Sequence, residues 1–386
     1  MKEASYGTYP TNFGTLATIG LKQYFENWDN DHENTETDYK ECTGAAASVD
    51  RNTFDLDPQD PRFTLDYAMR YSGVHAVLLG AAFGNLVTAG ASPYTHTITM
   101  RDDTLTTPIN TLPSYYFLSH TALIVPSSGA TAYSEVQVSG AKCNTTRISM
   151  SADDGLLRCS QQFLASTDQW FTTVTNTANL PPDGTTTGQS PAEELIRSSH
   201  LKSANDAVPA SSAMVVYVQG SATGKRNMRV RSFEINIDNK LSRDSFITYG
   251  GAAIRAGVQP DRSDSREVTA TFTVDAESDC YDLLNEAAGY TANDTPKAAT
   301  LYWDFLRPDD PTNYALSFNL SNAVVTRIQR GTRGADLQAM TFTVRAQAPR
   351  AGSSNWSIGT PIEMVMKNLR QGTGTAPGGT KYDTYV

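Results

Sequence analysis

Apolar and polar residues alternate most regularly between Val268 and Ala346. In the segment 268–275 (VTATFTVD), apolar side chains fall on one face of an extended chain and threonines on the other, which is the pattern of a half-buried β-strand. The segment 278–288 has apolar residues at helical spacing and ends at Gly289, so it predicts a short amphipathic helix. Three further strands are predicted, at residues 300–306, 314–320 and 338–346. This order of elements predicts an α+β unit that is mostly β.

A partial copy of this unit lies upstream, between residues 63 and 165. Phe63-Thr-Leu-Asp66 matches Phe272-Thr-Val-Asp275, and a helix predicted at 74–83 ends, like the one at 278–288, with alanines before a glycine. Both copies contain the tripeptide Thr-Arg-Ile, at residues 146–148 and 326–328. Short matches also arise by chance, so coincidence stays an alternative. The shared order of elements favours an internal duplication, that is, two tandem β domains that each have a flanking short helix.

The segments outside the two copies differ in composition. Between residues 167 and 212 the chain is rich in Thr, Pro, Gly and Ser, which predicts a linker or a long surface loop. The N-terminal segment is polar and acidic and the C-terminal one is rich in Gly and Pro, so both are predicted to be arms. The predicted organisation is an N-terminal arm or loop (1–44), a first β domain (45–166), the linker (167–212), a second β domain (213–346) and a C-terminal arm (347–386).

The strand predicted at 229–238 (RVRSFEINID) has the cleanest alternation outside this unit. Because side chains of a strand point to opposite faces in turn, its two sets are predicted to lie on opposite faces of a sheet. The inward set is Phe233, Ile235 and Ile237; the outward set is Glu234, Asn236 and Asp238.

Size and charge limit the possible functions. A chain of 386 residues that is 39% hydrophobic can bury two ordinary cores. Its net charge of −10 argues against a protein that grips nucleic acid, because phosphate binding depends on Lys and Arg. The longest apolar run, 74–83, is much shorter than the ~20 residues of a membrane-spanning helix, and the N-terminal residues lack a hydrophobic signal core. We therefore expect synthesis in the cytosol and no membrane insertion.

Patterns typical of enzymes and metal sites are incomplete in this chain. The acidic residues Asp29, Asp31 and Glu33 have the alternation of a calcium loop, but Asn34 stands where a glycine is needed. The segment 220–226 has too few residues between its glycines for a phosphate-binding loop. Three carboxylate pairs fall in predicted turns, where Asp is common for conformational reasons: Asp102–Asp103, Asp153–Asp154 and Asp309–Asp310. We predict no catalytic residue, no cofactor and no metal site.

The four cysteines are scattered and form no CxxC motif. Cys143 and Cys159 lie on either side of a predicted turn and could face each other in a hairpin. We expect them to stay thiols in a reducing cytosol.

Two parts of the chain resemble the tail tube (major tail) proteins of tailed bacteriophages. The first comprises PYTHTITMRDDTLTTPINTLPSYYF (93–117) and VSGAKCNTTRISMSADDG (138–155); the second comprises VRSFEINIDNKLS (230–242) and REVTATFTVDAESDCYDLL (266–284). The likeness covers most of residues 60–346 and rests on strand patterns. The family implies a β-sandwich flanked by a helix, whose subunits join their sheets into a ring with a continuous β-barrel lining. Stacked rings form the conduit through which the genome leaves.

The resemblance implies a structural virion protein, assembled in the host cytoplasm, that is not an enzyme. Its partners would be copies of itself, a tape-measure protein, the tail terminator and distal tail proteins, and DNA in transit without specific binding. A single tube domain is much shorter than this chain. A duplicated chain would form a ring from three copies, a pseudo-hexamer, which we favour; an unduplicated one would need six.

Glu234, Asn236 and Asp238 are the candidates to line the channel, where acidic groups would repel DNA phosphates. An outer, solvent-facing surface is the alternative for these three residues.

A second class of function stays open from the sequence. A β-sandwich receptor-binding, carbohydrate-binding or baseplate-type virion protein would use the many aromatic residues to hold a ligand. It predicts a discrete monomer or small oligomer with a saturable ligand, whereas a tube protein predicts concentration-dependent filaments. A glycosidase ranks third.

Overall fold

The computed structural model describes about half of the chain and contains one α-helix, Gly73–Phe83 (α1), within that part. The described residues are 2–3, 39–41, 54–56, 61–71, 73–90, 93–100, 112, 115–124, 131–165, 167–171, 195–201, 213–218, 225–242, 261–262, 264–276, 298–330, 339–347 and 360–368. The strands are Lys2–Glu3 (β1), Tyr39–Glu41 (β2), Phe54–Leu56 (β3), Arg62–Ala68 (β4), Gly84–Ala89 (β5), Tyr94–Met100 (β6), Tyr115–Ile124 (β7), Thr131–Ser151 (β8), Arg158–Leu164 (β9), Thr167–Phe171 (β10), Ala213–Val218 (β11), Lys225–Asp238 (β12), Leu241–Ser242 (β13), Asp261–Arg262 (β14), Glu267–Asp275 (β15), Ala299–Leu306 (β16), Ala315–Arg330 (β17), Ala339–Ala346 (β18) and Ile362–Asn368 (β19). The prediction of a mostly β chain is confirmed.

Seven antiparallel strands form what we call the wide sheet, in the order β4-β9-β8-β12-β15-β18-β17. A second row of strands has the order β12-β11-β16-β17-β19-β6-β5. Because β12 and β17 belong to both rows, six strands (β11, β12, β15, β18, β17 and β16) pair in a closed circuit. Both shared strands carry a register shift, between Val230 and Ser232 and between Val325 and Arg327, and such bulges let a strand bend from one sheet into another.

The closed circuit of six strands encloses a buried aromatic core. Phe233 of β12 packs against Trp303 of β16 with ring centroids 5.5 Å apart. Phe272 of β15 stacks on Phe342 of β18 with centroids 5.3 Å apart. All of these side chains are at most 3% exposed. The core is therefore built by the inward positions that period-two alternation predicts.

Helix α1 has the sequence GVHAVLLGAAF, which is apolar apart from His75, and each of its described side chains is buried. It contacts β5, β6 and β8, and a helix that is apolar all round needs cover all round. It ends at Gly84, whose φ of 94° only glycine adopts easily. The Asn239 side chain donates to the Ala82 carbonyl at 2.9 Å, and the Arg266 guanidinium donates to the Phe83 carbonyl at 3.4 Å. Residues from the second half of the chain thus cap a helix of the first half.

The two halves repeat the same strand topology. In the first half β4 pairs with β9, β9 with β8, and β8 with β7 and β10. In the second half β15 pairs with β18, β18 with β17, and β17 with β16 and β19. Each half also contains a stacked phenylalanine pair: Phe63–Phe163 has a centroid distance of 5.2 Å, close to the 5.3 Å of Phe272–Phe342.

The sequence echoes fall on corresponding strands of this repeat. The Phe-Thr motifs begin at Phe63 in β4 and at Phe272 in β15, and the Thr-Arg-Ile tripeptides lie in β8 and β17. The tripeptides do not share a register, however, because Ile148 lies opposite Cys159 whereas Ile328 lies opposite Phe342. They mark corresponding strands and not corresponding positions.

Strand pairing also joins the two halves to each other. β8 pairs with β12, and β6 pairs with β19, so hydrogen bonds connect segments on either side of the predicted linker. Two separate tandem β-sandwich domains, and the boundaries drawn for them, stay predictions. The second flanking helix, predicted at 278–288, lies outside the described residues. In the described part of the chain, no helix is long and apolar enough to span a membrane.

Candidate functional site

The wide sheet has one buried face and one polar face, and the polar face is the candidate functional site. Along residues 145–151 of β8, 233–238 of β12, and the whole of β15 and β18, buried side chains alternate with side chains that are partly or fully exposed. We call the exposed side of these four strands the open face. Its residues are Thr145, Arg147, Ser149, Ser151, Arg231, Ser232, Glu234, Asn236, Asp238, Glu267, Thr269, Thr271, Thr273, Asp275, Thr341, Thr343 and Arg345. No large apolar side chain is among them.

The residues predicted from the sequence, Glu234, Asn236 and Asp238, all lie on this face in β12. The inward set is confirmed as well, since Phe233, Ile235 and Ile237 are 3%, 0% and 1% exposed. Within the outward set, the Asn236 amide donates a hydrogen bond of 2.7 Å to Glu234. The structure brings two of the three predicted residues into direct contact.

The carboxylates of the open face are paired with cations. Glu234 of β12 forms an ion pair with Arg147 of β8. Asp238 lies 2.6 Å from the Lys240 ammonium in the turn after β12. From the sequence, we expected acidic groups on this face to repel phosphates. Because Glu234 and Asp238 each have a cationic partner, their negative charges are locally balanced.

The two carboxylates of β15 are paired in the same way. Glu267 lies 3.4 Å from the Arg345 guanidinium of β18, and Asp275 lies 2.5 Å from the Arg231 guanidinium of β12. All four carboxylates on β12 and β15 therefore have a cationic partner. The open face is polar and locally charge-balanced, although the whole chain carries a net charge of −10.

A row of threonines fills the centre of the face. Thr271 and Thr273 of β15 lie directly opposite Thr343 and Thr341 of β18. The hydroxyl oxygens of the pair Thr273–Thr341 are 2.9 Å apart, and those of Thr271–Thr343 are 3.4 Å apart. Such cross-strand pairs stabilise the sheet and present to solvent hydroxyl groups that donate and accept hydrogen bonds without fixed charge.

A shallow depression of about 390 Å³ lies at the β8–β12 side of the open face. Ser149, Ser232 and Glu234 line it, and the pair Arg158–Asp154 stands beside them. A hydrogen bond from Arg158 holds the pKa of the Asp154 carboxyl below its usual value. Within the described residues, no group of three or more His, Cys, Asp or Glu side chains could hold a metal ion.

A second polar cluster lies beneath α1, and the sequence patterns did not single it out. Gln161 of β9 is fully buried, accepts a hydrogen bond of 2.9 Å from the Tyr67 hydroxyl and donates one of 2.9 Å to the Leu78 carbonyl of α1. Its amide also lies 3.4 Å from the Thr146 hydroxyl. The signal in the sequence that could have indicated this cluster is Gln161, a polar residue at an inward position of β9. That position is recognised as inward only when the register of the strand is known.

The ionisable groups near this cluster are held neutral by burial. The His75 ring accepts a hydrogen bond of 2.8 Å from the Arg70 backbone amide, and burial, reinforced by the charge of Arg70, lowers the pKa of His75 to about 3. Burial raises the pKa of Cys143 to about 12 and also raises the pKa of Cys159. Neutral, buried groups of this kind have a structural role and no access to a substrate.

Cys143 and Cys159 are free thiols. They do not face each other in the hairpin, since Cys143 lies opposite Phe163 and Cys159 opposite Ile148. Cys143 is farther from the turn at residues 152–155 than Cys159 is, so it lies opposite a later residue of β9, and a bulge between Cys143 and Thr145 shifts that partner by one residue.

The remaining candidate patterns fall in turns or outside the described residues. Asp153 and Asp154 occupy the turn between β8 and β9, and Asp309 and Asp310 lie in the connection between β16 and β17, as predicted. The acidic segment around Asp29, the pair Asp102–Asp103 and residues 220–224 lie outside the described part.

Comparison with known proteins does not identify a family: no protein-family model matches the chain, and no curated protein is similar to it. The function is therefore argued from the geometry of the sheets and the chemistry of the open face.

Proposed function

We propose that this protein is a tail tube subunit of a tailed bacteriophage, and that its open face lines the channel. One observation carries the proposal: over four adjacent strands of the wide sheet, β8, β12, β15 and β18, one face is buried in the core and the other is polar. A sheet that lines a water-filled channel needs this division, because its inner side is wet and its outer side is packed.

The ends of the wide sheet support ring formation. Within the described residues, β4 forms one end of the sheet, and the C-terminal part of β17 forms the other. If the β17 end of one copy joins the β4 end of the next, the contact is head-to-tail, and contacts of this type close into rings. Three copies would supply about 21 strands, a number at which barrels enclose an open lumen.

The repeated strand topology supports three copies per ring. Two similar halves in each chain make a three-copy ring quasi-six-fold, which is the pseudo-hexamer that we favour over six chains. On this proposal the protein is a virion component assembled in the host cytoplasm. It contacts other copies, a tape-measure protein, the tail terminator and distal tail proteins, and it passes DNA without binding it specifically.

The described aromatic residues give no support to a carbohydrate-binding function. Trp303 is fully buried against Phe233 and Phe272. Trp303 is the one tryptophan whose side chain is described, and it contributes to the core.

The experiment that tests the proposal is electron microscopy of the purified protein over a range of concentrations, with rotational averaging of particles seen end-on. Hollow rings or tubes with three-fold symmetry are expected. Six-fold symmetry would overturn the three-copy arrangement, and compact particles at every concentration would overturn the tube.

Placement of the open face is tested separately by labelling. Thr271→Cys on the open face and Asp309→Cys in an exposed turn are compared in a background with Cys42 and Cys280 replaced by serine. A bulky polyethylene-glycol maleimide is expected to label both variants before assembly and only Asp309→Cys after assembly. Equal labelling of Thr271→Cys in tubes would place the face outside the channel.

A further inference from the structure

Two ion pairs of the open face share one cross-strand geometry. Arg147 lies opposite Asn236 but pairs with Glu234, two residues along the neighbouring strand. Arg345 lies opposite Thr269 but pairs with Glu267, again two residues along. Diagonal neighbours at this offset are within reach of long side chains, so each guanidinium is held against a carboxylate of the adjacent strand.

The third pair, Arg231–Asp275, joins β12 to β15 beside the bulge. The three guanidinium groups therefore lie on three of the four strands of the open face, β8, β12 and β18.

These pairs are too exposed to have stability as their main effect. The Arg147, Arg231 and Arg345 side chains are 60%, 46% and 49% exposed, and ion pairs in such surroundings contribute little to folding. Threonine pairs such as Thr273–Thr341 already give a neutral, well-paired surface. We therefore explain the arginines and their carboxylate partners by the molecule that the open face contacts.

We propose that the open face is a latent phosphate-binding surface, in which carboxylates occupy the guanidinium groups of Arg147, Arg231 and Arg345. The partner is double-stranded nucleic acid. Guanidinium groups bind phosphate oxygens through two parallel hydrogen bonds, and a duplex carries a charge every ~1.7 Å of its axis, so phosphates are available wherever the duplex lies. With the carboxylates in place, the duplex passes without being held.

The role in DNA passage rests on the proposed tube function, but the surface property does not. It is measured on the unassembled protein, separated by size, so that the face is accessible whether or not rings form. Failure of ring assembly would overturn the tube and leave this result unaffected.

The test compares two triple variants that each remove three negative charges. Glu234→Gln/Glu267→Gln/Asp275→Asn releases the three guanidinium groups. Asp264→Asn/Asp309→Asn/Asp310→Asn makes the same charge change in turns and releases one guanidinium, that of Arg307, which is outside the open face. Binding of a labelled duplex of about 20 base pairs is followed by fluorescence anisotropy at several salt concentrations, and thermal unfolding checks that both variants are folded.

The open-face variant is expected to bind the duplex, and the wild type and the turn variant are not. With three phosphate contacts, its affinity should fall about 40-fold between ~50 and ~200 mM salt. Equal binding by both variants would overturn the proposal, because net charge would then be the cause. Binding by neither, or equal binding by the wild type, would also overturn it.

Discussion

The two halves of the molecule use the same four-strand arrangement but fill it differently. In the first half, Gln161 of β9 lies two residues before Phe163 and makes polar contacts beneath α1. The corresponding position of β18, two residues before Phe342, is Met340, which is buried in an apolar core. Both halves are packed by aromatic rings, and the first adds directional hydrogen bonds at this position.

The difference follows from what each half has to cover. A helix that is apolar on every side can rotate about its axis with little change in burial, so hydrophobic contact alone does not fix its orientation. The hydrogen bond from Gln161 to the Leu78 carbonyl sets that orientation, because the hydrogen bonds of a buried polar network all form in only one orientation of the helix. In the described part of the second half, hydrogen bonds between strands set the register and packed aromatic rings fill the core.

The largest effects are expected from the shared phenylalanine pairs. Phe163→Ala and Phe342→Ala each remove a fully buried ring from corresponding positions, and each should lower the free energy of unfolding by about 3–5 kcal/mol. Chemical denaturation of the two variants measures this. A loss at one site several times that at the other would show that the two halves do not share this packing role.

An exchange of the differing residues tests the comparison directly. Gln161→Met removes the amide that accepts from the Tyr67 hydroxyl and donates to the Leu78 carbonyl, and should cost about 1–3 kcal/mol. Adding Tyr67→Phe should restore part of the lost stability, because both partners of the Tyr67–Gln161 hydrogen bond are then absent. Met340→Gln, the reverse change, buries an amide in the apolar core and should cost a similar amount. Denaturant titration of the four proteins measures these values, and a neutral Gln161→Met would refute a role for the polar cluster.

The smallest effect is a pH dependence confined to the first half. The pKa of His75 is about 3 in the folded protein, below the ~6.5 of an unfolded chain, so protonation favours the unfolded state as the pH falls below ~6.5. Stability should decrease by about 1 kcal/mol between pH 7 and pH 5.5 from this group. His75→Gln, which retains an acceptor for the Arg70 amide, should remove that share of the dependence. An unchanged slope in this variant would exclude His75 as the source.

Local alternation predicted much of what each strand presents. Phe233, Ile235 and Ile237 are buried and Glu234, Asn236 and Asp238 are not, because a strand turns successive side chains to opposite faces whatever its neighbours are. The apolar run at 74–83 likewise predicted a helix, and the described side chains of α1 are buried. The predicted strand around Tyr314 was too short, since β17 passes its bulge and continues to Arg330.

The pairing of distant segments could not be predicted from such patterns. Arg147 meets Glu234 across 87 residues of sequence, and Asn239 caps a helix that ends more than 150 residues earlier. A bulge shifts register by one residue and changes which side chains meet, as it does between Cys143 and Thr145. Nothing in a period-two pattern encodes either the partner strand or the bulge.

The alternation of residues by itself determined which side chains of strands such as β12 and β15 lie on the buried face, and the short sequence matches favoured a repeated unit. Only the tertiary structure decided that the carboxylates of the open face are neutralised by arginines and a lysine, and that the two halves share one hydrogen-bonded sheet. The physical reason is the range of the interactions. The backbone sets alternation and helical spacing within a few residues. Ion pairs, helix caps and strand order depend on contacts between segments that are distant in sequence, and the local pattern does not specify which segments pair.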